Sequence, residues 1–378
     1  MPPSPEATAH HVHRDPYGLL PSAPVMGDDA GGGSLDEAGE PRPDGGDRDG
    51  PRVSIIVPVY NGARHLGPFF EGIEAQFRPD MELVLVDDGS TDETAAIIGT
   101  FAATSRWRVQ VVTLEQNQGL GAARRAGFQA GVGAHVMCLD VDDVLRAGAL
   151  DAVVSAVDTE PANTVVVFDY GVVVGGRTRV EAGMDADLLR VPGESVAAIL
   201  RAEMSPFMWN KVFPREGLST DDFVLAWLGE DVPTLIRVLQ VHPRARRVRS
   251  VLLDYVVGAD TLSQTGDLVA YTSPEGGHVA EVYRLISASG VVGDQGRCWE
   301  RWFAPRVLAA AAVAAARRRD GCFADVRRNV MHQTTMGQAL SGVVGGDRGW
   351  SAMLVLLRLA PPVFSLVSRL TAPRSLSG

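Results

Sequence analysis

The sequence predicts a doubly wound α/β domain followed by a helical C-terminal region. Between residues 53 and 139, apolar β-branched runs alternate with segments whose apolar residues recur at helical spacing. That alternation is typical of sheets in which helices connect parallel strands. From residue 302 to residue 370, helical patterns predominate, beginning with an alanine-rich stretch.

The predicted elements follow one another in a regular order. Strands are expected at residues 53–60, 82–87, 109–114 and 135–139. Helices are expected at residues 65–77, from Ser90 through Phe101, and at 121–130, 302–318, 325–340 and 350–370. Ser90 stands three residues before Glu93, and this spacing predicts that Ser90 caps the second helix.

Composition and charge limit the classes of protein that this chain can represent. The 378 residues carry a net charge of −11, so electrostatic binding of nucleic acid is not expected. Residues 1–51 are rich in proline, glycine and acidic residues and are expected to form a disordered tail, because they offer little apolar surface to bury. The tail lacks the basic start and apolar core of a signal peptide, which favours a cytoplasmic location.

The cysteines and the apolar runs of the sequence argue against three further features: a disulfide framework, a zinc site and a membrane span. Cys138, Cys298 and Cys322 are too few and too scattered to suggest a disulfide framework or a zinc site. No run of apolar residues reaches the length that a membrane span needs. Reduced thiols in a cytoplasmic protein are therefore expected.

Polar side chains follow each predicted strand of the first 150 residues. Asp87 and Asp88 follow the second strand, and Asp140 and Asp142 follow the fourth. In such sheets ligands bind outside the carboxyl ends of the strands, and carboxylates two residues apart on an extended chain project to one side. These oxygens suit a divalent cation, Mg²⁺ or Mn²⁺, beside a nucleotide diphosphate. Capping or solvation could explain the second pair, and a phosphoacceptor pocket could explain the first.

Several segments together resemble the signatures of family 2 glycosyltransferases in order and spacing. The first four are VSIIVPVYN at 53–61, LVDDGSTD at 85–92, NQGLGAAR at 117–124 and LDVDD at 139–143. WNKVF at 209–213 and GED at 229–231 resemble the acceptor-side signatures of the family, and GADTLS at 258–263 is a weaker echo. The resemblance therefore reaches from about residue 52 to residue 265.

The resemblance implies a fold and an activity. A GT-A domain, with a mixed sheet flanked by helices, would occupy residues 52–265, with the nucleotide and metal half at 52–150 and the acceptor half at 151–265. It implies metal-dependent, inverting transfer of a sugar from a nucleotide-sugar, a UDP-sugar by family habit, to a hydroxyl of a glycan or lipid-linked acceptor. Synthesis of a cell-surface polysaccharide or glycoconjugate would be the setting.

The same resemblance assigns roles to individual residues. Nucleotide binding is expected of Pro58, Tyr60, Asn61, Asp87, Asp88, Asn117, Arg124 and Asp140. Metal binding is expected of Asp142 and Asp140. Trp209, Asn210 and Lys211 are expected to contact the acceptor or to fix a loop over the site.

Asp231 is the candidate general base, and Glu230 is expected to contact the acceptor beside it. The pair precedes a periodic apolar stretch, so it should lie at a helix N-terminus, where the helix dipole favours a carboxylate. Plain N-capping is the alternative that the local pattern leaves open. Asp221 and Asp222 form a competing acidic pair, interpreted as part of a loop.

Three further alternatives stay open. The chain could be a non-catalytic or nucleotidyltransferase-like nucleotide-binding protein on the same fold, although the intact acidic pairs favour an enzyme. Residues 266–378 could pack on the catalytic domain or on a partner, or they could contact the inner face of the plasma membrane through apolar side chains with Arg358, Arg369 and Arg374. The arginines at 244, 246, 247 and 249 could be solvated or could meet an anionic lipid.

Overall fold

A computed structural model describes most of the chain. The described residues are 50–190, 193–225, 230–256, 268–275, 277, 280, 282, 284, 304–318, 321–336 and 348–370. The tail up to residue 49, Cys298, the segment 258–263 and the proposed boundary at residue 265 lie outside them.

Ten strands of the described residues form one mixed sheet. They are β1 Val53–Val59, β2 Met81–Asp87, β3 Val109–Thr113, β4 His135–Cys138, β5 Val144–Leu145, β6 Thr164–Val174, β7 Arg177–Glu181, β8 Leu188–Leu189, β9 Lys211–Pro214 and β10 Arg244–Val256. The strand order is β3-β2-β1-β4-β9-β6-β10-β5, while β7 pairs with β6 and β8 pairs with β10.

The first four strands run parallel, as the sequence predicts. β1 pairs in parallel with both β2 and β4, and β2 pairs in parallel with β3. Their carboxyl ends therefore meet at one edge of the sheet. β9 runs antiparallel to β4 and β6, which makes the sheet mixed and places β9 between the strands of the first half and those of the second.

Helices cover both faces of the sheet. They are α1 Ala63–Glu74, α2 Thr94–Thr104, α3 Leu120–Ala130, α4 Ala149–Thr159, α5 Glu194–Leu200, α6 Asp231–Val241, α7 Leu268–Tyr271, α8 Ala304–Arg317, α9 Phe323–Gln333, α10 Arg348–Leu359 and α11 Pro361–Leu370. One apolar core joins alternate β1 residues to α1, α2 and α4. The other joins Ile56 to α3, α5 and α6. Because successive side chains of a strand point to opposite faces of the sheet, β1, β2 and β4 each contribute residues to both cores.

The C-terminal helices belong to the second core. The alanine-rich α8 is buried on all sides from Val307 to Ala316, and it packs against α9, α10 and α11. Small alanine side chains let these neighbours approach closely. The α8 residues share one apolar cluster with residues of α6.

Sequence and structure differ in detail at three places. Ser90 does not cap α2, which begins at Thr94 with no side-chain cap; the Ser90 hydroxyl instead accepts a hydrogen bond from Asn61 N at 2.9 Å. The predicted helix at 350–370 is two helices, because Pro361 and Pro362 start a new one. The acidic pair expected in a loop belongs to a short 3₁₀ turn, Thr220–Asp222.

The arginine cluster is not simply solvated. The four residues lie on β10, and three of them pair with carboxylates: Arg246 with Glu160, Arg247 with Asp169 and Arg249 with Asp187. These pairs tie β10 to its neighbours. Among the helices that the structure describes, none has the length and apolarity needed to cross a bilayer.

Candidate active site

The loops after β1 and β2 are tied together at the carboxyl edge of the sheet. Asn61 has a left-handed backbone with φ of 49°, and its side-chain oxygen accepts a hydrogen bond from Thr91 N at 2.8 Å. Asp87 accepts from Ser90 N at 3.0 Å. Tyr60 lies beside them with 47% of its surface exposed, so one ring is open to solvent at this edge.

Asp88 fixes the loop that leads into α3. Its two carboxylate oxygens accept from Gln118 N at 2.8 Å and Gly119 N at 2.9 Å. Asn117 adds a third bond to Gly119 N at 3.0 Å. Burial raises the pKa of Asp88, although the two backbone donors oppose this. Both oxygens are therefore engaged in building the loop, which sets the position of the helix that follows.

A glycine is required at position 89 because the loop after β2 passes close to the backbone of the loop before α3. Gly89 has a φ of 67°, and a Cβ at this position would lie 2.4 Å from the backbone carbon of Gln116. Any other residue would push the second and third loops apart. The glycine of the Asp87-Asp88-Gly89 sequence therefore allows the strand-end loops to meet.

Arg124 is the centre of the site. It projects from α3, is 2% exposed, and donates through Nη2 to Asp140 Oδ1 at 3.0 Å and through Nη1 to Glu230 Oε1 at 2.9 Å. Nη1 also donates to Asp231 Oδ1. Burial alone would lower the pKa of Arg124, but the three surrounding carboxylates raise it well above its ordinary value. The guanidinium is thus a fixed cation between the turn after β4 and the start of α6.

Asp231 is the first residue of α6, and Glu230 occupies the capping position before it. Neither carboxylate caps the helix: Glu230 makes no side-chain cap bond, and Asp231 uses its oxygens on Arg124 and on Met208 N, the latter at 3.0 Å. The N-capping alternative for Asp231 is therefore wrong. Burial and the charge of Asp231 raise the pKa of Glu230 to about 8, while Arg124 opposes the shift.

The loop that supplies Met208 is fixed from below by Lys211. Lys211 is fully buried, and its Nζ donates to Ser205 O at 2.6 Å, Phe207 O at 2.7 Å and Asn210 Oδ1 at 2.9 Å. Burial lowers the pKa of Lys211 to about 7. Of the two expectations for this residue, the structure places it where it fixes a loop, since its ammonium group faces carbonyl oxygens.

Asn210 and Trp209 are also buried. Asn210 donates to Phe168 O at 3.0 Å and accepts from Ser205. Trp209 is 2% exposed and stacks against Phe207 at 4.9 Å between ring centroids. Phe207 of the same loop is less buried than either of them.

Asp140, Asp142 and Asp143 form a tight turn after β4, with Asp143 N donating to Asp140 O at 3.1 Å. Burial raises the pKa of Asp140 to about 6, and the negative charge of Asp142 adds to this while Arg124 opposes it. Burial and the two neighbouring carboxylates also raise the pKa of Asp143 well above its ordinary value. The turn thus concentrates negative charge that a cation would neutralise.

The turn fits a divalent cation that substrate phosphates would help to hold. Oδ2 of Asp143 is buried and has no hydrogen-bond partner in the described structure. No group of three or more His, Cys, Asp and Glu side chains among the described residues is arranged to hold a metal by itself. Mg²⁺ commonly uses only one or two protein carboxylates and takes its remaining ligands from phosphate and water. Asp140 and Asp142 would be those two.

The structure brings together some of the predicted residues and separates others. Arg124, Asp140, Glu230 and Asp231 meet within one hydrogen-bonded group. Pro58 is buried within β1 and is paired with Val86, so its predicted effect on nucleotide binding could come only through the shape of the strand end. The roles of the nucleotide residues remain predictions.

Three participants were not found from the sequence. The backbone N–H of Met208, the ring of Phe207 and the ring of Tyr255 lie at or beside the site. A backbone donor leaves no mark in a residue pattern. Phe207 and Trp209 alternate as strand neighbours would, but nothing local links them to Tyr255, which lies 46 residues after Trp209.

The comparisons with known proteins agree with this geometry. The model of the glycosyl transferase family 2 matches residues 54–198. The succinoglycan biosynthesis protein ExoO of Rhizobium meliloti is 32% identical over 154 residues, which are 41% of this chain and 43% of that protein. An uncharacterised glycosyltransferase, EpsJ of Bacillus subtilis, is 24% identical over 66% of this chain and 73% of its own length.

The fold also agrees with a solved structure. TarS residues 1–349 from S. aureus, crystallised with UDP-GlcNAc, superpose with a TM-score of 0.59 at 15% identity, covering 84% of this chain and 89% of that one. ExoO and several similar relatives are matched by this chain over less than half of their length. Residues 54–198 therefore match the model of glycosyl transferase family 2, and the fold is that of GT-A glycosyltransferases.

Proposed function

We propose that this chain is an inverting glycosyltransferase that moves a sugar from a nucleotide-sugar to an acceptor hydroxyl, with Asp231 as general base. The observation that carries the proposal is the group around Arg124. One side chain holds Asp140, of the proposed donor side, and Asp231, of the proposed acceptor side. A donor diphosphate and an acceptor hydroxyl bound at these two carboxylates would face each other.

The donor would lie along the carboxyl edge of β1, β2 and β4. The exposed Tyr60 ring could stack on the base, and Asp87 lies nearby at the end of β2. Asp88 would act through the loop before α3, because both of its oxygens already accept backbone hydrogen bonds. We therefore assign direct nucleotide contact to Asp87 rather than to Asp88.

The proposed step is a single displacement. The acceptor oxygen attacks the anomeric carbon, and the bond from that carbon to the diphosphate oxygen breaks. The hydroxyl proton passes to Asp231, and the nucleoside diphosphate leaves with the bonding electrons. A base within hydrogen-bond reach of the hydroxyl is required, and attack opposite the leaving group inverts the anomeric centre.

Asp231 is held ready for that role. Its Oδ2 accepts from Met208 N, and Arg124 keeps it oriented through Oδ1. Its side chain is 16% exposed, more than that of Glu230 at 7%. Asp231 is thus the more accessible carboxylate, and Glu230 becomes a positioning residue that supports the contact with Arg124.

A divalent cation at Asp140 and Asp142 would neutralise the charge that develops on the departing diphosphate. Asp140 would then have two cationic partners, since Arg124 already contacts its Oδ1. Asp142 is half-buried and belongs to the same turn. These residues would hold the cation from the protein side.

The setting is proposed from the relatives. ExoO is a succinoglycan biosynthesis protein, and this supports synthesis of a polysaccharide or glycoconjugate with a glycan or lipid-linked acceptor. A peripheral membrane contact would use Leu359, Val363 and Leu366, which are 70%, 47% and 57% exposed. Arg358 would not assist, because it turns inward and donates to Thr334 Oγ1 at 2.9 Å.

The proposal is tested by incubating the purified chain with Mn²⁺ or Mg²⁺ and single nucleotide-sugars. UDP-GlcNAc, UDP-glucose and GDP-mannose form the first panel, and release of the nucleoside diphosphate is measured. Slow metal-dependent hydrolysis of one donor, faster with sugar acceptors, is the expected result. Formation of a nucleotide-sugar from a sugar phosphate and a nucleoside triphosphate would support the nucleotidyltransferase alternative. Inactivity in both assays, with no nucleotide binding, would remove the proposal.

A further inference from the structure

Three aromatic side chains lie together with nearly parallel ring planes beside the proposed base. Phe207 and Trp209 lie 4.9 Å apart between centroids with planes 12° apart, and Trp209 and Tyr255 lie 5.4 Å apart with planes 13° apart. Phe207 and Tyr255 are 6.2 Å apart. Trp209 is buried, whereas Phe207 and Tyr255 are half-buried. The accessible part of this aromatic platform is therefore made by Phe207 and Tyr255.

The platform is built as a rigid surface. Tyr170 packs its ring edge against Trp209 at 4.7 Å with an interplanar angle of 88°. Lys211 fixes the backbone of the loop through Phe207 O at 2.7 Å. Rings supported in this way lose little freedom when a ligand binds, which favours affinity.

Two connections place the platform between the two halves of the site. On one side, Met208 follows Phe207 directly and its N–H donates to Asp231. On the other side, Asp254 on β10 pairs with Val144 on β5, so Tyr255 and Asp143 are the next residues along the two strands. The platform thus adjoins both the proposed base and the acidic turn after β4.

Aromatic ring faces favour the binding of a sugar ring. Aromatic faces carry negative charge density, and C–H groups with partial positive charge pack well against them. One face of a pyranose ring presents axial C–H groups, while its hydroxyls point outward around the rim. An open-chain polyol has no such face, although its hydroxyl groups are the same.

We infer that Phe207 and Tyr255 form a subsite that binds the pyranose ring of the acceptor. The inference rests on the proposed function, because it places the acceptor hydroxyl at Asp231. The acceptor is chosen over the donor because Phe207 is adjacent to the residue that hydrogen-bonds the base, and a base must reach the acceptor hydroxyl. Stacking would then orient that hydroxyl toward Asp231.

Binding can be measured without turnover. Saturation-transfer difference NMR would be recorded on the full chain with UDP and Mn²⁺, using methyl β-glucopyranoside and methyl β-N-acetylglucosaminide as probes and sorbitol as the open-chain comparison. Saturation of ring C–H protons, absent for sorbitol, is expected. In Phe207→Leu and Tyr255→Leu, probe affinity should fall roughly 3- to 10-fold, the loss expected for one stacked ring.

A matched control separates stacking from folding. Phe101 of α2 is half-buried and stacks on Phe70 of α1 at 3.7 Å, so Phe101→Leu removes a stacked ring that is not part of the platform. It should leave probe binding unchanged, and thermal unfolding shows whether all three variants fold. Affinity unchanged in Phe207→Leu and Tyr255→Leu, or no pyranoside binding at all, would overturn the inference.

Donor hydrolysis in water distinguishes the two proposals. If hydrolysis and donor KM are normal in the Phe207 and Tyr255 variants while pyranoside binding is lost, the subsite is supported. A raised donor KM would assign the platform to the donor sugar and overturn the acceptor assignment. Absence of donor hydrolysis in the unaltered chain would count against the proposed function, whatever the NMR result.

Discussion

Arg124 Nη2 lies 3.0 Å from Asp140 Oδ1, and this contact joins α3 to the acidic turn after β4. The same guanidinium reaches Glu230 at 2.9 Å and also contacts Asp231 at the start of α6. Parts of the chain more than 100 residues apart are thereby held around one buried cation. We expect Arg124 to act mainly by positioning these acidic side chains, because its N–H donors are already used in hydrogen bonds to them.

Replacing Arg124 with Met should destabilise the fold strongly. Three acidic side chains would lose their common partner, and removal of one partner from a buried ion pair costs about 3–5 kcal/mol. The free energy of unfolding, measured by urea denaturation, is the readout. Arg125→Met is the control, because Arg125 pairs with the 83% exposed Asp221, where a loss of about 0–1 kcal/mol is typical. Equal losses in the two variants would contradict the central place of Arg124.

Stability should depend on pH through Glu230. Burial and the charge of Asp231 raise the pKa of Glu230 from 4.5 to about 8, so the folded state holds a proton that the unfolded state releases between these values. The contribution of Glu230 to the free energy of unfolding is therefore fully present below pH 4.5 and is lost as the pH rises toward 8.

The variant Glu230→Gln isolates that contribution. Glutamine cannot titrate, and its side-chain oxygen can still accept from Arg124. The difference in unfolding free energy between the unaltered chain and Glu230→Gln should shift against the unaltered chain as pH rises from 5 to 8. A difference that stays constant would show that Glu230 is not protonated in the folded state. Lys211, whose lowered pKa has the opposite effect above pH 7, is common to both chains and cancels.

Asp142→Ala should abolish metal-dependent nucleotide binding without unfolding the chain. Asp142 is half-buried in the turn after β4, outside the strands and helices that form the core. Titration calorimetry of UDP with and without Mn²⁺ is the measurement, and Asp221→Ala serves as an acidic control outside the turn. Undiminished Mn²⁺-dependent binding by Asp142→Ala would remove the metal assignment.

The exposed apolar side chains of α10 and α11 should support association with anionic liposomes. Replacing Leu359, Val363 and Leu366 with serine should reduce co-flotation with phosphatidylglycerol vesicles at low salt. Serine at Val132 and Val180, which are 53% and 58% exposed elsewhere, is the comparison. If the unaltered chain does not co-float with these vesicles, the membrane proposal is wrong and the two helices act only in packing.

Much of the sheet could be predicted from the sequence because its signal is local. The apolar runs of β1 to β4 and the helical spacing between them predict strands and helices within a few residues of those observed. Parallel strands then place Asp87 and Asp140 at one edge without further information. The start of α6 at Asp231 was predicted in the same way.

The contacts that organise the site could not be predicted, because they are made across the fold. Nothing near Arg124 in the sequence indicates that it is buried, and its partners lie 16 to 107 residues away. Lys211 would ordinarily be expected at the surface, yet three carbonyl acceptors surround its Nζ. Ser90 matches a capping pattern, but the loop from β1 competes for its hydroxyl. Tertiary partners overrode local preference at each of these positions.

The central claim is that Asp231 removes the acceptor proton, and Asp231→Asn tests it most directly. Asparagine keeps an oxygen for Met208 N–H, while Asp140 and Glu230 still hold Arg124, so the fold and UDP binding should survive. The decisive measurement is the rate of sugar transfer per correctly folded molecule, taken with UDP affinity on the same preparation. The account predicts a fall of about 10² to 10⁴ in transfer with UDP affinity retained. Transfer near the rate of the unaltered chain would contradict it.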